Sequence, residues 1–269
     1  MSRIASLGMY DHPAQAAAND RLWGEIARIL RLHGVPGVPN TLDRSRPVQE
    51  IWRDPGLLFG QICGYPLIRQ PELALRVLAL PIYDAPGCVD DTHCSFLIAR
   101  KGDTGDDLAA YRGRRAAINE SGSNSGMNLF RAAVARIADG APFFGSVRET
   151  GSHRESVRAI VLGDADVTAI DAVTFAALAR FEPELTIALQ TLGRTPASPT
   201  LPFVTGRATD GETTAALQIA LAQALADPGL APTRAALFLT GVTRVGIDRF
   251  ASLRHFESDA VLAGYPDLR

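Results

Sequence analysis

The stretch Thr150–Asp171, TGSHRESVRAIVLGDADVTAID, indicates the fold class. It opens with small polar residues and continues as a helical pattern with Val157 and Ile160 on one face, until Gly163 stops it. The strand-like run ADVTAID follows at once. A helix that leads through a tight turn into a buried strand is typical of α/β proteins. We therefore predict a helix over about residues 154–162 and a strand at the end of the stretch.

The same alternation continues on both sides of this stretch. Strand-like runs are RIASLGM, GLLFGQICGYP, ALRVLALPIYD, HCSFLIAR, RAAIN and ELTIALQTL, and helical patterns cover residues 14–32, 129–137, 172–181, 213–226 and 234–240. Strands that alternate with helices of this length predict an α/β fold with mainly parallel sheets flanked by helices.

Two of the apolar strands bracket the middle of the chain, at residues 94–100 and 185–192. A protein whose second lobe is inserted into the first would show this pattern. We predict that residues 1–98 and 187–269 form lobe 1 and that residues 99–186 form lobe 2. The two bracketing strands would act as hinges, and a ligand cleft would lie between the lobes.

Composition excludes several classes of protein. The chain has 269 residues, of which 46% are hydrophobic and 21% charged, with a net charge of −2, as expected for a globular protein. Lys101 is the only lysine and no basic run occurs, so nucleic-acid binding is not expected. No apolar run reaches the roughly 18 residues of a membrane span, so membrane insertion is not expected either.

The start of the chain and the cysteines bear on the compartment. The sequence MSRIASLGMYD is too short and too polar for a signal peptide. The protein is therefore cytoplasmic if Met1 is the native start, or periplasmic if a leader was removed. Cys63, Cys88 and Cys94 show no CxxC spacing; one bridge is possible, but buried thiols are favoured.

The loop INESGSNSGMN, residues 118–128, precedes a helical pattern, and five of its residues are Ser or Gly. Ser123 or Asn124 can cap that helix, whose first amides have no partner within it and whose dipole favours an anion. The loop lacks the lysine of a nucleotide P-loop. It is either a plain loop or one half of an anion site.

A second loop of similar composition, Thr150–His153, also precedes a helix. In parallel α/β sheets such loops meet at the carboxyl ends of the strands, so the two could hold one tetrahedral anion. A histidine in this position is otherwise a capping or surface residue. We expect a neutral His153 imidazole, because the positive end of a helix dipole disfavours its cationic form.

Two other sets of residues suggest different chemistry. Ser125, His153 and Asp171 follow the chain order of a hydrolase triad, but the nucleophile elbow is missing. The run VDDTHC contains Asp90, Asp91 and His93, but a solvated turn is the favoured interpretation over a metal site. Neither catalysis, a metal nor a cofactor is expected.

Several motifs together resemble those of a known family. SLGMYD, LLFGQICGYPL, ALPIYDAPGCVDDTHCSFLIAR, YRGRRAAINESGSNSGMN, TGSHRESVRAIVLGDADVTAID and TLPFV fall in the same order as in the phosphate/phosphonate-binding (PhnD-like) proteins. The resemblance runs from about Ile4 to about Val204. Those proteins are substrate-binding components of ABC importers with the type 2 periplasmic-binding-protein fold.

The resemblance implies a site for a small anionic or zwitterionic ligand. One loop would contribute Ser123, Asn124, Ser125 and Gly126; the other Ser152 and His153; lobe 1 Tyr10 and Gln61; and Asp171 would face the amine of an aminoalkyl ligand. Asn124 departs from the pattern, because many relatives have Thr or Ser there. An ABC permease is the implied partner and a monomer the expected state, with a cytosolic sensor of the same fold as the alternative.

Overall fold

The structure is a computed structural model that describes residues 3–103 and 105–269. The first two residues of predicted lobe 1 and Thr104 of predicted lobe 2 lie outside the described residues. Contacts between Cα atoms divide the chain into two units. The first unit runs to Asp84 and adds Val89–Asp91 and Pro199–Arg249; the second consists of Ala85–Cys88, Thr92–Ser198 and Phe250–Arg269.

The strands and helices are numbered in chain order. The strands are β1 (Ile4–Ala5), β2 (Leu57–Gln61), β3 (Arg76–Tyr83), β4 (Cys88–Val89), β5 (Thr92–His93), β6 (Ser95–Arg100), β7 (Arg115–Ile118), β8 (Ser146–Glu149), β9 (Val167–Asp171), β10 (Leu189–Arg194), β11 (Ser198–Pro199), β12 (Phe203–Thr205) and β13 (Leu239–Thr243). The α-helices are α1 (Ala16–Leu32), α2 (Val48–Arg53), α3 (Gly64–Arg69), α4 (Leu129–Ala135), α5 (His153–Leu162), α6 (Ala172–Phe181), α7 (Pro183–Thr186), α8 (Gly211–Ala226), α9 (Ala231–Ala236) and α10 (Ser252–Leu262).

The first unit is built on a sheet of order β1-β2-β12-β3-β13. Strands β1 and β2 run parallel, whereas β12 is antiparallel to both β2 and β3, and β13 is antiparallel to β3. In the core of this unit, the ring of Phe59 on β2 stacks between Trp23 on α1 and Phe203 on β12, at centroid distances of 5.6 and 5.3 Å. These contacts fix the strand that carries Gln61 at its carboxyl end.

The second unit is built on a sheet of order β10-β6-β9-β7-β8. Strands β7, β8 and β9 run parallel to one another, and β6 is antiparallel to both β9 and β10. Because successive strand residues point to opposite faces of the sheet, each strand contributes side chains to two hydrophobic clusters, one on each face. Leu97 and Ala99 of β6 pack in a cluster with Phe130 of α4, whereas Phe96 and Ile98 pack in a cluster with Ile160 of α5.

The α/β class predicted from the sequence is confirmed, but the sheets are mixed rather than mainly parallel. The segments predicted as hinges at 95–100 and 185–192 contribute β6 and β10, which pair inside the second sheet. The predicted helix at 234–240 is wrong at its end, because β13 begins at Leu239 and pairs with β3. The lobe boundaries at 98/99 and 186/187 stay a prediction.

Two further sequence expectations concern the cysteines and the membrane. Cys63, Cys88 and Cys94 are free thiols; Cys63 and Cys94 are buried and Cys88 is partly buried. Within residues 3–103 and 105–269, no helix has the length and apolar character needed to cross a membrane.

Candidate functional site

Two loops and the end of a third strand meet at one edge of the second sheet. Strands β7, β8 and β9 are parallel neighbours, so their carboxyl ends lie side by side. The Ser/Gly loop follows β7, the Thr150–Ser152 loop follows β8, and Asp171 is the last residue of β9. This edge therefore brings the predicted second-unit residues Ser123 to Gly126, Ser152, His153 and Asp171 to one end of the sheet.

The first loop enters a helix through a wide turn. Ser123 caps this turn, and its Oγ accepts a hydrogen bond of 3.0 Å from the N–H of Gly126. The N–H of Asn128 donates to the carbonyl of Ser123 over 3.0 Å, a five-residue spacing typical of π-helical turns. Such turns occur often at functional sites. The turn continues directly into α4.

The second loop caps α5. Ser152 Oγ accepts a hydrogen bond of 3.1 Å from the N–H of Glu155. Thr150 is tied to β7, because its N–H and its hydroxyl both donate to the carbonyl of Ile118. These bonds hold His153 at the first position of the helix. The predicted N-terminus of this helix is confirmed to within one residue, and Gly163 ends it in a left-handed conformation with φ +79°.

Ser125 and His153 join the two loops. Ser125 Oγ lies 2.9 Å from His153 Nε2, within hydrogen-bond distance. The backbone of Ser125 is fixed in addition by Ser95 at the start of β6, whose hydroxyl donates to the Ser125 carbonyl over 2.9 Å. A hydroxyl and an imidazole are therefore held together where two helices begin.

Gly126 leaves no room for a side chain. A β-carbon at this position would lie 1.9 Å from Oδ1 of Asn119 and 3.0 Å from Cε1 of His153. Asn119 directly follows β7, and its Oδ1 is buried without a hydrogen-bond partner. The close approach of the two loops thus depends on a glycine here.

His153 is held in its neutral form. Burial lowers the pKa of its imidazole to about 4, assisted by the charge of His93 and opposed by Asp171 and by the backbone carbonyl of Ala169. The neutral imidazole agrees with the expectation from the sequence. The attribution to the helix dipole is incomplete, because burial is the largest cause.

Asp171 is engaged inside the protein. Its side chain is 1% exposed, its Oδ2 lies 2.7 Å from Nδ1 of His93, and its Oδ1 accepts from the N–H of Thr174 over 2.8 Å. Burial acts to raise the pKa of Asp171, but the charge and hydrogen bond of His93, the charge of His153 and the Thr174 bond together lower it to about 2. Asp171 is therefore an ionised, internally paired carboxylate.

The side chain of Asn124 also makes internal bonds. Its Nδ2 donates to the hydroxyl of Ser198 over 3.0 Å, and its Oδ1 accepts from Nδ2 of Asn128 over 3.1 Å. Asn124 is buried. The amide at this position thus ties the wide turn to Ser198 of β11.

In the first unit, Tyr10 and Gln61 meet at a residue that the sequence did not single out. The rings of Tyr10 and Tyr83 are edge-to-face, with centroids 5.7 Å apart. The Nε2 of Gln61 donates to the hydroxyl of Tyr83 over 3.1 Å and to the carbonyl of Leu201 over 3.0 Å. Ligand contacts by Tyr10 and Gln61 stay a prediction, as do those of the second-unit residues.

The residues considered for a metal site, a solvated turn or a Ser-His-Asp triad have other partners in the structure. Asp91 forms an ion pair of 2.7 Å with Arg249, and His93 is 1% exposed rather than part of a solvated turn. Among the described residues, no three His, Cys, Asp or Glu side chains are placed to hold a metal ion. In a Ser-His-Asp triad the carboxylate orients the histidine beside the serine; here Asp171 pairs with His93.

Comparison with known proteins identifies the family. The family model for the phosphonate, periplasmic substrate-binding proteins of ABC transporters matches residues 59–249. This chain belongs to that family. The matched range contains the wide turn, the α5 cap and Asp171, so the residues at the edge of the second sheet lie within the family's common region. The family resemblance seen in the sequence is confirmed, and the chain is a solute-binding protein by family.

Solved structures show the same fold. The binding protein component of an ABC phosphonate transporter from Pseudomonas aeruginosa is 18% identical, with 90% of this chain and 82% of that chain covered and a TM-score of 0.73. PhnD1 from Prochlorococcus marinus in complex with methylphosphonate is 10% identical, with 96% and 97% covered and a TM-score of 0.72. A Xanthomonas citri protein bound to ATP is 14% identical, with 92% and 94% covered and a TM-score of 0.68. A search of curated proteins gave no match.

The periplasmic-binding-protein fold predicted from the sequence is thereby confirmed. The sequence did not single out Ser95, Asn119 or Tyr83, and it placed His93 in a solvated turn. Asn119 had a signal in the sequence, since it stands between the strand RAAIN and the Ser/Gly loop. The other three join the site through pairing of distant strands, for which the sequence carries no local signal.

Proposed function

We propose that this protein captures a small oxyanion, a phosphonate or phosphate, as the solute-binding component of an ABC importer. The observation that carries the proposal is the contact of 2.9 Å between Ser125 Oγ and His153 Nε2 at the starts of two helices. When this hydrogen bond opens, the hydroxyl and the ring N–H can each donate to an oxygen of one tetrahedral group. Backbone N–H groups of the first helical turns that the Ser123 and Ser152 caps leave unbonded are further donors.

Neutral donors, rather than cations, would hold the anion. The pKa of His153 is lowered to about 4, so the imidazole binds as a neutral group near pH 7. The arginine that follows it, Arg154, is paired with Glu182. Oriented dipoles in a partly buried site bind anions without a full counter-charge. Ser123, Gly126 and Ser152 set the positions of these dipoles through their backbone and capping bonds.

The remaining roles follow from the family. We propose that the protein works in the periplasm as a monomer, delivers its ligand to an ABC permease and catalyses no reaction. The pairing of Asp171 with His93 supports the last point, because it engages the acid that a triad needs. Tyr10 and Gln61 of the first unit are also proposed to contact the ligand.

A thermal-shift screen tests this proposal. The purified protein is heated with phosphate, methylphosphonate, sulfate or, as a control, a neutral sugar. A ligand that binds only the folded state at 100 times its Kd stabilises it by about 2.7 kcal/mol. We expect a rise in Tm with methylphosphonate or phosphate and none with the sugar. No rise with any oxyanion would contradict the proposal.

A further inference from the structure

Asp171, at the carboxyl end of β9 in the second unit, has two partners within the protein. His93 Nδ1 lies 2.7 Å from one carboxylate oxygen of Asp171, and the N–H of Thr174 donates to the other over 2.8 Å. Asp171 and His93 are each 1% exposed. A buried carboxylate is costly unless it is paired and hydrogen-bonded, and these two partners meet that need.

His93 reaches this place from a separate part of the chain. It ends β5, whereas the loops that follow β7 and β8 carry Ser125 and His153. The charge of His93 is nevertheless felt at both groups, since it favours the ionised form of Asp171 and disfavours protonation of His153. His93 therefore occupies the position beside the Asp171 carboxylate that an ammonium group of a ligand would otherwise take.

We infer that His93 selects the class of ligand: it closes Asp171 to cations, so that the site takes phosphonates without an ammonium group in preference to aminoalkylphosphonates. The inference rests on the proposed function and makes it more specific. An ammonium group entering the site would have to displace the buried imidazole or remain without a charged partner. Either outcome weakens binding relative to an uncharged alkyl group of the same size.

Two ligands of matched shape test this directly. Propylphosphonate and 2-aminoethylphosphonate differ by a methyl group in place of an ammonium group. Titration calorimetry should give the wild-type protein a Kd for propylphosphonate about tenfold or more below that for 2-aminoethylphosphonate, the range set by one charge-assisted hydrogen bond. A wild-type preference for 2-aminoethylphosphonate, or equal affinity for both, would overturn the inference alone.

Variants of His93 test the cause. His93→Ala removes one of the two partners of the carboxylate, and the ratio of the two Kd values should move toward 2-aminoethylphosphonate by about tenfold or more. His93→Asn keeps a donor and should keep the wild-type ratio. Thr168→Val is the matched control, because it removes a buried hydrogen bond of the same strand, to the carbonyl of Ala117, and should leave the ratio unchanged. An unchanged ratio in a folded His93→Ala protein would contradict the inference.

Asp171→Asn decides the matter if His93→Ala does not fold. With the carboxylate already held by His93, this substitution should affect the two ligands alike. A selective loss of 2-aminoethylphosphonate in Asp171→Asn would show that the ammonium group contacts the acid, and would overturn the inference. A wild-type protein that binds phosphate but neither phosphonate would overturn the inference alone, whereas one that binds none of the three would overturn the proposed function and the inference with it.

Discussion

The side chain of Asn119 occupies the space that a β-carbon on Gly126 would need. Asn119 Oδ1 lies 1.9 Å from that position, and Cε1 of His153 lies 3.0 Å from it. Glycine at residue 126 is therefore a packing requirement, since its backbone lies close to the residue that follows β7 and to the helix that follows β8. The distance between the two loops, and with it the contact of Ser125 with His153, depends on this glycine.

Gly126→Ala should weaken both folding and binding. The added methyl group must push the wide turn away from Asn119 and His153, and overpacking of this kind costs about 1–3 kcal/mol. Denaturant unfolding followed by circular dichroism measures the change in free energy of unfolding, and calorimetry with methylphosphonate measures the loss of affinity.

Gly122→Ala is the matched control in the same loop, because nothing lies within 4 Å of a β-carbon built there. It should change neither quantity. Asn119→Ala in the Gly126→Ala background should recover part of the lost stability, because it removes the colliding oxygen. A Gly126→Ala protein as stable as the wild type would contradict the packing account.

The stability of the protein should depend on pH through His153. The pKa of its imidazole is about 4 in the folded protein, whereas its ordinary value, which holds in the unfolded chain, is 6.5. The unfolded chain therefore binds more protons between these values, and the free energy of unfolding rises with pH from about 4 to 6.5 and then levels off. At about 1.4 kcal/mol per pKa unit, the shift from 6.5 to about 4 gives a full effect of at most about 3.5 kcal/mol.

The variant His153→Gln isolates this contribution, because glutamine does not titrate. Denaturant unfolding at several pH values should show a flatter slope between pH 4 and 6.5 for His153→Gln than for the wild type. Asp171 contributes at lower pH: its pKa is lowered to about 2, so its stabilisation is present above 3.8 and is lost as pH falls toward 2. Equal slopes for both proteins in the upper window would show that His153 is not buried in its neutral form.

Gln61 should matter for folding in the first unit. Its Nε2 donates to the Tyr83 hydroxyl and to the Leu201 carbonyl, and the side chain is 4% exposed. Gln61→Leu leaves both acceptors buried without this donor, which costs about 1–3 kcal/mol of unfolding free energy. Tyr83→Phe removes only one of the two bonds and should cost less. A Gln61→Leu protein that unfolds at the wild-type denaturant concentration would contradict this account of the residue.

The sequence predicts the site best where local chemistry decides the structure. Ser152 begins α5 with a side-chain cap, and Gly163 ends it in a left-handed conformation. Both residue types can be recognised as helix-end signals from the sequence alone. The loops before α4 and α5 could be paired because strands followed by helices place their loops at one edge of a sheet.

What the sequence could not predict depends on pairing between distant segments. Strand β8, SVRE, has one apolar residue and is exposed along most of its length, so it carries no strand pattern and forms only by pairing with β7. His93 resembled part of a polar turn because Asp90 and Asp91 precede it, yet the fold buries it against Asp171. The requirement for glycine at residue 126 arises in part from His153, which the fold brings close from the helix after β8.

Titration calorimetry with methylphosphonate on wild-type, Ser125→Ala and His153→Ala proteins tests the central claim most directly. Each substitution removes one donor from the proposed anion site and should cost about 1.5–3 kcal/mol of binding free energy, and the double variant should lose less than the sum. The exposed residues Ser121 and His33 provide matched controls, Ser121→Ala and His33→Ala, which should bind as the wild type does. Wild-type affinity in folded Ser125→Ala and His153→Ala proteins would contradict the claim that these two residues hold the ligand.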